Sequence, residues 1–467
     1  MTTKLTGSLL PSRRHFEGAA RVTLLAIAAA CSSSGGVGVT ANCSVSSVTV
    51  SPSTADVAVG ASTALTASVA ASNCSPAPQV VWQSNNTAVA TVTQTGQVTG
   101  VTAGNTTITA TADGKAGTAA INVHSLPPVI TSFDIPGAGT AAGQGTFGWA
   151  IDDANGAIAG RYIDAGNAYH GFLRAPDGTI TKFDVSGAGT AGGEGTLPYS
   201  INSGAIAGVY VDANGVNHSF LRAADGTITT FDVSSAGTNS GQGTQGRNIN
   251  ASGVIAGFYL DASNASHGFL RASGGTITTF DVSGAQGTSM GGVDHLNATG
   301  AISGGYVDAS NVNHGFLRAS DGTITKFDVS GAGAGVGQGT SSAGINASGV
   351  IVGNYRDASN VRHGFLRASD GTITKFDVSG AGTGVGQGTI PENINVSGAI
   401  AGQYLDAGNV NHGFVRAPDG TITSFDVPSA GTGSGQGTFP ISNHASGKIT
   451  GYYVDANNVR HGFLRTP

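Results

Sequence analysis

Charge is scarce in this chain. Lysine and arginine together number 21 and aspartate and glutamate 27 among 467 residues, for a net charge of −6. No basic stripe exists to neutralise phosphates, which excludes nucleic acid as a partner. Long apolar runs are missing too. The run before the first cysteine, Val22 to Ala30, is too short to cross a bilayer as a helix, so it reads as the core of an export signal and not as an anchor. Beyond it no capped amphipathic helix of useful length is legible, and the body of the chain is expected to be all-β. Glycine is what the sequence has in excess: 75 residues, about twice the usual ~7%. The glycines recur at fixed places in a repeating frame, which indicates turns and bulges and not disorder.

Residues 1–30 read as a signal peptide. Ser12-Arg13-Arg14-His15-Phe16 resembles a twin-arginine export motif, with the general secretory route as the alternative. Ala28-Ala29-Ala30-Cys31 resembles a lipobox, which implies lipidation of Cys31 and an outer-membrane or cell-surface lipoprotein. Ordinary cleavage before Cys31 gives a secreted protein instead. Ser32-Ser33-Ser34-Gly35-Gly36 begins a flexible tether, residues 31–43, of the kind a lipid-anchored protein needs. With Cys31 acylated, Cys43 and Cys74 remain as a pair for a disulfide in an oxidising compartment, worth roughly 3–4 kcal/mol in the chain-entropy account. Two separate thiols are the alternative.

Residues 44–124 carry short alternating segments, Leu65 to Val69 and Thr107 to Thr111, separated by turn signals at Ser51-Pro52, Val59-Gly60 and Asp113-Gly114. That is enough chain for one small sandwich. Trp82-Gln83-Ser84-Asn85, Ala88 to Val92 and Gly96 to Gly104 resemble the bacterial Ig-like domain of group 2. The resemblance implies a β-sandwich spacer common in surface and adhesion proteins, with Trp82 in its core.

After a linker at 125–129, residues 130–467 are seven copies of one unit. Phe-Asp recurs at Phe133, Phe183, Phe231, Phe280, Phe327, Phe376 and Phe425. Histidine recurs at His170, His218, His267, His314, His363, His412 and His461. His314 to Gly333 and His363 to Gly382 are identical. One unit reads as four short strands: Thr372 to Val378, then Asn393 to Asn395 after a glycine-rich loop, then Ala399 to Leu405, then His412 to Arg416. Ile373 and Phe376 have opposite parity, as do Phe414 and Val415, so both faces of each small sheet are apolar and must be covered by neighbours. Seven units of four strands predict a seven-bladed β-propeller. An open β-solenoid is the alternative, but neither terminal unit looks like the polar cap it would need. The I-N-x-S-G-x-I-x-G-x-Y and H-G-F-L-R segments resemble the HAF-type extracellular repeat, which implies an extracellular location and no settled activity.

Several motifs tempt and then weaken. The seven histidines stand one per unit, so no three reach a common zinc from ordinary spacing, and no metal or other cofactor is expected. Asp261 with Asn264 suits turn chemistry, since the EF-hand pattern is absent. Gly380 to Gly386 resembles a phosphate loop but precedes a strand, with no helix N-terminus. His444, where other units have Asn395 or Asn346, and His295, outside the regular series, lack evident partners for catalysis.

Identity between units fails just after each glycine-rich loop: Phe147-Gly148-Trp149, Leu197-Pro198-Tyr199, Gln245-Gly246-Arg247, Ser289-Met290, Ser341-Ser342, Ile390-Pro391-Glu392 and Phe439-Pro440. In a propeller these positions are expected at one end of the ring. Trp149, Tyr199, Arg247, Glu392 and Phe439 are the candidate ligand-binding residues, offering stacking and charge. The function expected is a non-catalytic, cell-surface binding or adhesion protein, its partner a surface glycan, peptide or protein and its membrane contact a lipid anchor only. An exported propeller lyase or hydrolase is one alternative, for which no acid/base pair is legible. A structural envelope protein is another.

Overall fold

The computed structural model describes residues 42–286 and 293–467, and of residues 293–295 the backbone alone. The expectations for the leader, for Cys31 and for Ser289-Met290 lie outside the described residues, as does the side chain of His295. Everything described is strand, turn or loop, without a helix. The chain divides into two compact units between His124 and Ser125.

In the first unit Ser44–Ser51 pairs with Thr66–Ser72. A second sheet orders Thr54–Ala58, Lys115–His124, Gly104–Ala112 and Val81–Ser84, and a third orders Ser62–Ala64, Gln97–Gly100 and Ala90–Val92. Burial alternates along Gly104–Ala112 as the sequence alternates, so Ile108 and Ala110 point into a core with Val98 and Trp82. Gln94 clamps Trp82 through its backbone N–H and carbonyl, at 3.1 and 3.0 Å. Gly96, at φ 83°, lets the chain pass the tryptophan; a Cβ there would lie 2.4 Å from the Leu65 carbonyl. Cys43 and Cys74 form a disulfide.

The second unit repeats one antiparallel ladder: inner, second, third and outer strand. In the first ladder these are Gly145–Ile151, Ile158–Ile163, Tyr169–Arg174 and Ile180–Phe183. Seven such ladders occur among the described residues. The later inner strands are Gly195–Asn202, Gly243–Ile249, Val293–Leu296, Gly339–Ile345, Gly388–Ile394 and Gly437–Asn443. The third strand of the seventh ladder is Arg460–Thr466, and its outer place is filled from the start of the unit by Val129–Phe133. Phe133 lies opposite Gly462 and Val129 opposite Thr466. The hydrogen-bonded circuit is therefore closed. An open solenoid requires two free ends, and this array has none.

Two residues per copy explain the stacking. The phenylalanine of each third strand, from Phe172 to Phe463, is wholly buried, which contributes roughly 1.5–3 kcal/mol apiece. Its ring fills the space that a glycine on the second strand leaves open. A Cβ on Gly160 would lie 2.7 Å from the Phe172 ring and 2.1 Å from the Phe147 carbonyl. On the other face Phe183 meets Phe220 of the next ladder edge-on at 6.1 Å, and Arg222 covers it at 5.1 Å. Both faces of each ladder are thus packed, as the doubled apolar pattern requires.

Candidate functional site

Most of the repeated polar residues are occupied with one another. His170 on the third strand places Nδ1 2.9 Å from Asp184 and Nε2 3.4 Å from Asp164, and its ring stacks on Tyr162 at 4.8 Å. The other six histidines repeat this arrangement. In the seventh ladder His461 reaches Asp134, at the far end of the unit's sequence, so the cluster also helps close the circuit. Among the described residues no three His, Cys, Asp or Glu side chains gather as a metal would need. The carboxylate of Asp261 accepts the N–H groups of Ser263 and Ala265 at 2.8 Å, while Asn264 turns at φ 67°. Hydrogen bonds hold these turn aspartates below the usual carboxylate range. The Ser263 hydroxyl leads at Asp261 and the Val312 N–H at Asp308. At Asp164 burial pushes upward, and bonds from Ala168, His170 and Gly166 outweigh it.

The glycine-rich loop is built around a glutamine. Gln387 Oε1 accepts the Gly384 N–H at 2.8 Å, and its Nε2 donates to the Ala407 carbonyl and the Asn409 side chain at 3.1 Å. A Cβ on Gly382 would lie 2.3 Å from that Oε1. The resemblance to a phosphate loop is the packing requirement of this amide.

His444 has partners after all, in a belt that ties ladder to ladder. Asn250 donates to the Asn297 carbonyl, Asn297 to Asn346, Asn346 to Asn395 and Asn395 to His444, at 3.0–3.4 Å. His444 takes the asparagine's place: Nε2 donates to the Asp153 carbonyl at 3.2 Å and Nδ1 accepts the Ser446 N–H at 2.9 Å. The substitution joins the seventh ladder to the first.

The inner strands enclose a cavity of about 510 Å³. Each carries a β-bulge at the same place, where one extra residue is inserted and its side chain re-aimed. Outside the fourth ladder the bulge residues are Trp149, Tyr199, Arg247, Ala343, Glu392 and Ile441, and all six line the cavity. Four of the five candidates thus share one structural position. They stand on strands that line the central cavity, since the glycine-rich loop ends before Gly145, and the turns that close the inner strands, such as Asn297-Ala298 and Asn395-Val396, line it with them. Phe439 stands two residues before its bulge. It lies flat on Tyr452, with 4.7 Å between ring centroids.

A second variable position was overlooked. Opposite the residue that precedes each bulge by two stands the residue between Gly and Tyr of the I-x-G-x-Y segment. The pairs are Phe147 with Arg161, Leu197 with Val209, Gln245 with Phe258, Ser341 with Asn354, Ile390 with Gln403 and Phe439 with Tyr452. The signal was available, because that position holds a different residue in each of the seven copies while the Gly and Tyr on either side of it are constant.

Of the second position's pairs only Asn354 and Ile390 line the cavity, and Phe147, Arg161, Phe439 and Tyr452 stand outside its lining; the two positions together still make the ladders uneven. Phe439, Tyr452, Phe147, Arg161, Trp149, Tyr199 and Arg247 form a continuous aromatic and arginine arc over the seventh, first, second and third ladders. The fifth and sixth present Ser341, Ala343, Asn354, Gln403 and Glu392 instead. Arg161 stands 4.5 Å from the Trp149 ring, 4.7 Å from Phe147 and 5.9 Å from Tyr199. Burial draws its pKa below the ordinary value, and its Nε and Nη1 have no hydrogen-bond partner among the described residues. Arg247 lies 4.1 Å over Tyr199 and donates from Nη2 to Gln245 Oε1 at 2.8 Å. Glu392 accepts from Gln403 Nε2 at 3.1 Å.

Residues 44–123 match the bacterial Ig-like domain (group 2) family. A search of curated proteins returns no match. Among solved structures the chain is similar to a lectin from Burkholderia pseudomallei, at 9% identity and a TM-score of 0.46, over 66% of this chain and 91% of the lectin. It is similar to a puromycin hydrolase at 10% identity and a TM-score of 0.45, over 67% of this chain and 50% of the hydrolase, so it spans about half that enzyme's length. The six-bladed β-propeller lectin of Aleuria aurantia aligns at 11% identity and a TM-score of 0.36, over 64% of this chain and 94% of the lectin. Likeness this distant carries no information about the ligand.

Proposed function

We propose that this is an exported, non-catalytic recognition protein: an Ig-like β-sandwich stalk at residues 44–124 and a seven-bladed β-propeller head of HAF-type repeats at residues 130–467. Its ligand, a surface glycan, peptide or protein, enters the central cavity. Cys31 carries a lipid anchor, and residues 31–43 tether the stalk to the membrane. One observation supports the recognition reading above the rest. The seven ladders hold a constant frame, yet the bulge residues that face the shared cavity differ: Trp149, Tyr199, Arg247, Ala343, Glu392 and Ile441. A fixed frame with varied side chains around one cavity is a means of building an asymmetric site from symmetric parts.

The test is binding of the full chain to glycan and peptide arrays, with Trp149→Ala/Tyr199→Ala as the comparison. Loss of the bound spots in the double variant is expected. Unchanged binding to a cell-surface extract discards the site. Mass spectrometry of the mature N-terminus is expected to find acylated Cys31, and a bare Cys31 removes the anchor.

A further inference from the structure

We infer that the cavity takes an acidic saccharide, its carboxylate paired with Arg247 and its ring laid against Trp149 and Tyr199. The inference rests on the cavity being the recognition site. Its first support is a charge without a counter-charge. Among the described residues no carboxylate lies within ion-pair distance of Arg161, two of its nitrogens lack partners, and its surroundings are rings. A guanidinium so desolvated costs stability unless something compensates it. Its field reaches the cavity through Trp149 and Tyr199 with little screening.

The second support is a fork already held in place. Arg247 is fixed between the Tyr199 ring and Gln245, so little freedom is lost when it receives a planar carboxylate. The third is a lining of neutral polar groups. Asn202, Asn248, Asn354 and Asn393 line the cavity beside the rings. A ligand rich in hydroxyls matches them, and a pyranose offers an apolar face to the half-buried indole and phenol rings. Glu392 on the sixth ladder accepts sugar hydroxyls and repels a second carboxylate, which sets the sugar's orientation.

Titration calorimetry of the full chain with a galacturonate tetramer, the neutral galactose tetramer and a tetraglutamate peptide tests this. Binding of the galacturonate alone is expected. Arg247→Gln should weaken it on the order of ten- to a hundredfold, and Arg161→Met about tenfold. In the free protein Arg161→Met should raise the melting temperature, since it removes an uncompensated charge. A merely structural arginine would lower it and leave affinity alone. Equal binding of the neutral tetramer, unaffected by either arginine variant, overturns the acidic ligand while the recognition site stands. Preference for tetraglutamate overturns the saccharide. If none of the three binds and arrays remain blank, the recognition reading falls with it.

Discussion

The third and outer strands of the ladders and their inner strands come from one repeating sequence, yet they differ in what they tolerate. The identical stretch from His314 to Gly333 and from His363 to Gly382 covers the third strand but for its first residue, the outer strand and the start of the glycine-rich loop. The rest of the loop differs only at Ala334 against Thr383, and the copies diverge inside the inner strand, from Ser341 against Ile390 onward. Outside, each residue meets a copy of the same neighbour: phenylalanine against phenylalanine, histidine between two aspartates. A change there must be matched in the next ladder. At the cavity each bulge residue faces open space, and its replacement disturbs only a local contact. Repetition fixes the frame and leaves the bulge free.

That contrast is broken or sharpened most strongly by truncating one aromatic on each side. Phe365 is wholly buried, and Phe365→Ala is expected to cost about 3–5 kcal/mol. Trp149 is half-buried and edge-on to Tyr199 at 5.5 Å, so Trp149→Ala should cost about 1 kcal/mol, the worth of its ring contacts. Urea unfolding of both variants checks the difference. Equal losses would mean that the cavity wall is as structural as the frame.

Acid should attack the frame next. Asp164, Asp212, Asp261, Asp308, Asp357, Asp406 and Asp455 all have pKa values lowered in the folded protein: burial pushes most of them upward, and hydrogen bonds within their turns together with the neighbouring histidine outweigh it. A carboxylate whose folded value is depressed contributes stability that is complete above its unfolded value, near ~3.9, and is lost as pH falls through the folded one. Melting temperature should therefore hold from neutrality to about pH 5 and decline below about pH 4. Calorimetry across that range checks it, and a melting temperature that climbs on acidification contradicts the role given to these turns.

Much of this was legible in the sequence, and what was missed has a physical cause. Periodicity gave seven units, four strands each, and two apolar faces gave lateral stacking, because both follow from side-chain parity. The turn role of Asp261 and Asn264 was readable from local chemistry. The bulge was not. A bulge is a mismatch in pairing between two strands, and no single strand records it. For the same reason Arg161 went unnoticed: it matters because Phe147, Trp149 and Tyr199 surround it, and these come together only once the first and second ladders stack. His444 looked solitary because its partner, Asp153, is distant in sequence.

The belt offers a finer test. Asn346 donates to the next ladder and accepts two N–H groups of its own turn, from Ser348 and Val350 at 3.0 Å. Asn346→Ala should cost about 1–3 kcal/mol, since it removes both turn bonds and leaves the buried Asn395 carbonyl without this donor.

His444→Asn should cost least of all. Asparagine at this position elsewhere donates one N–H to the following ladder and accepts the turn's N–H through its carbonyl. Histidine does both with Nε2 and Nδ1, so the exchange preserves each hydrogen bond and is expected to fall within about 0.5 kcal/mol of the natural chain. His444→Ala removes both and should approach the loss at Asn346. If the asparagine variant instead lost as much as alanine, the junction between the last ladder and the first would depend on the imidazole itself. The belt would then be four asparagine links and a lock.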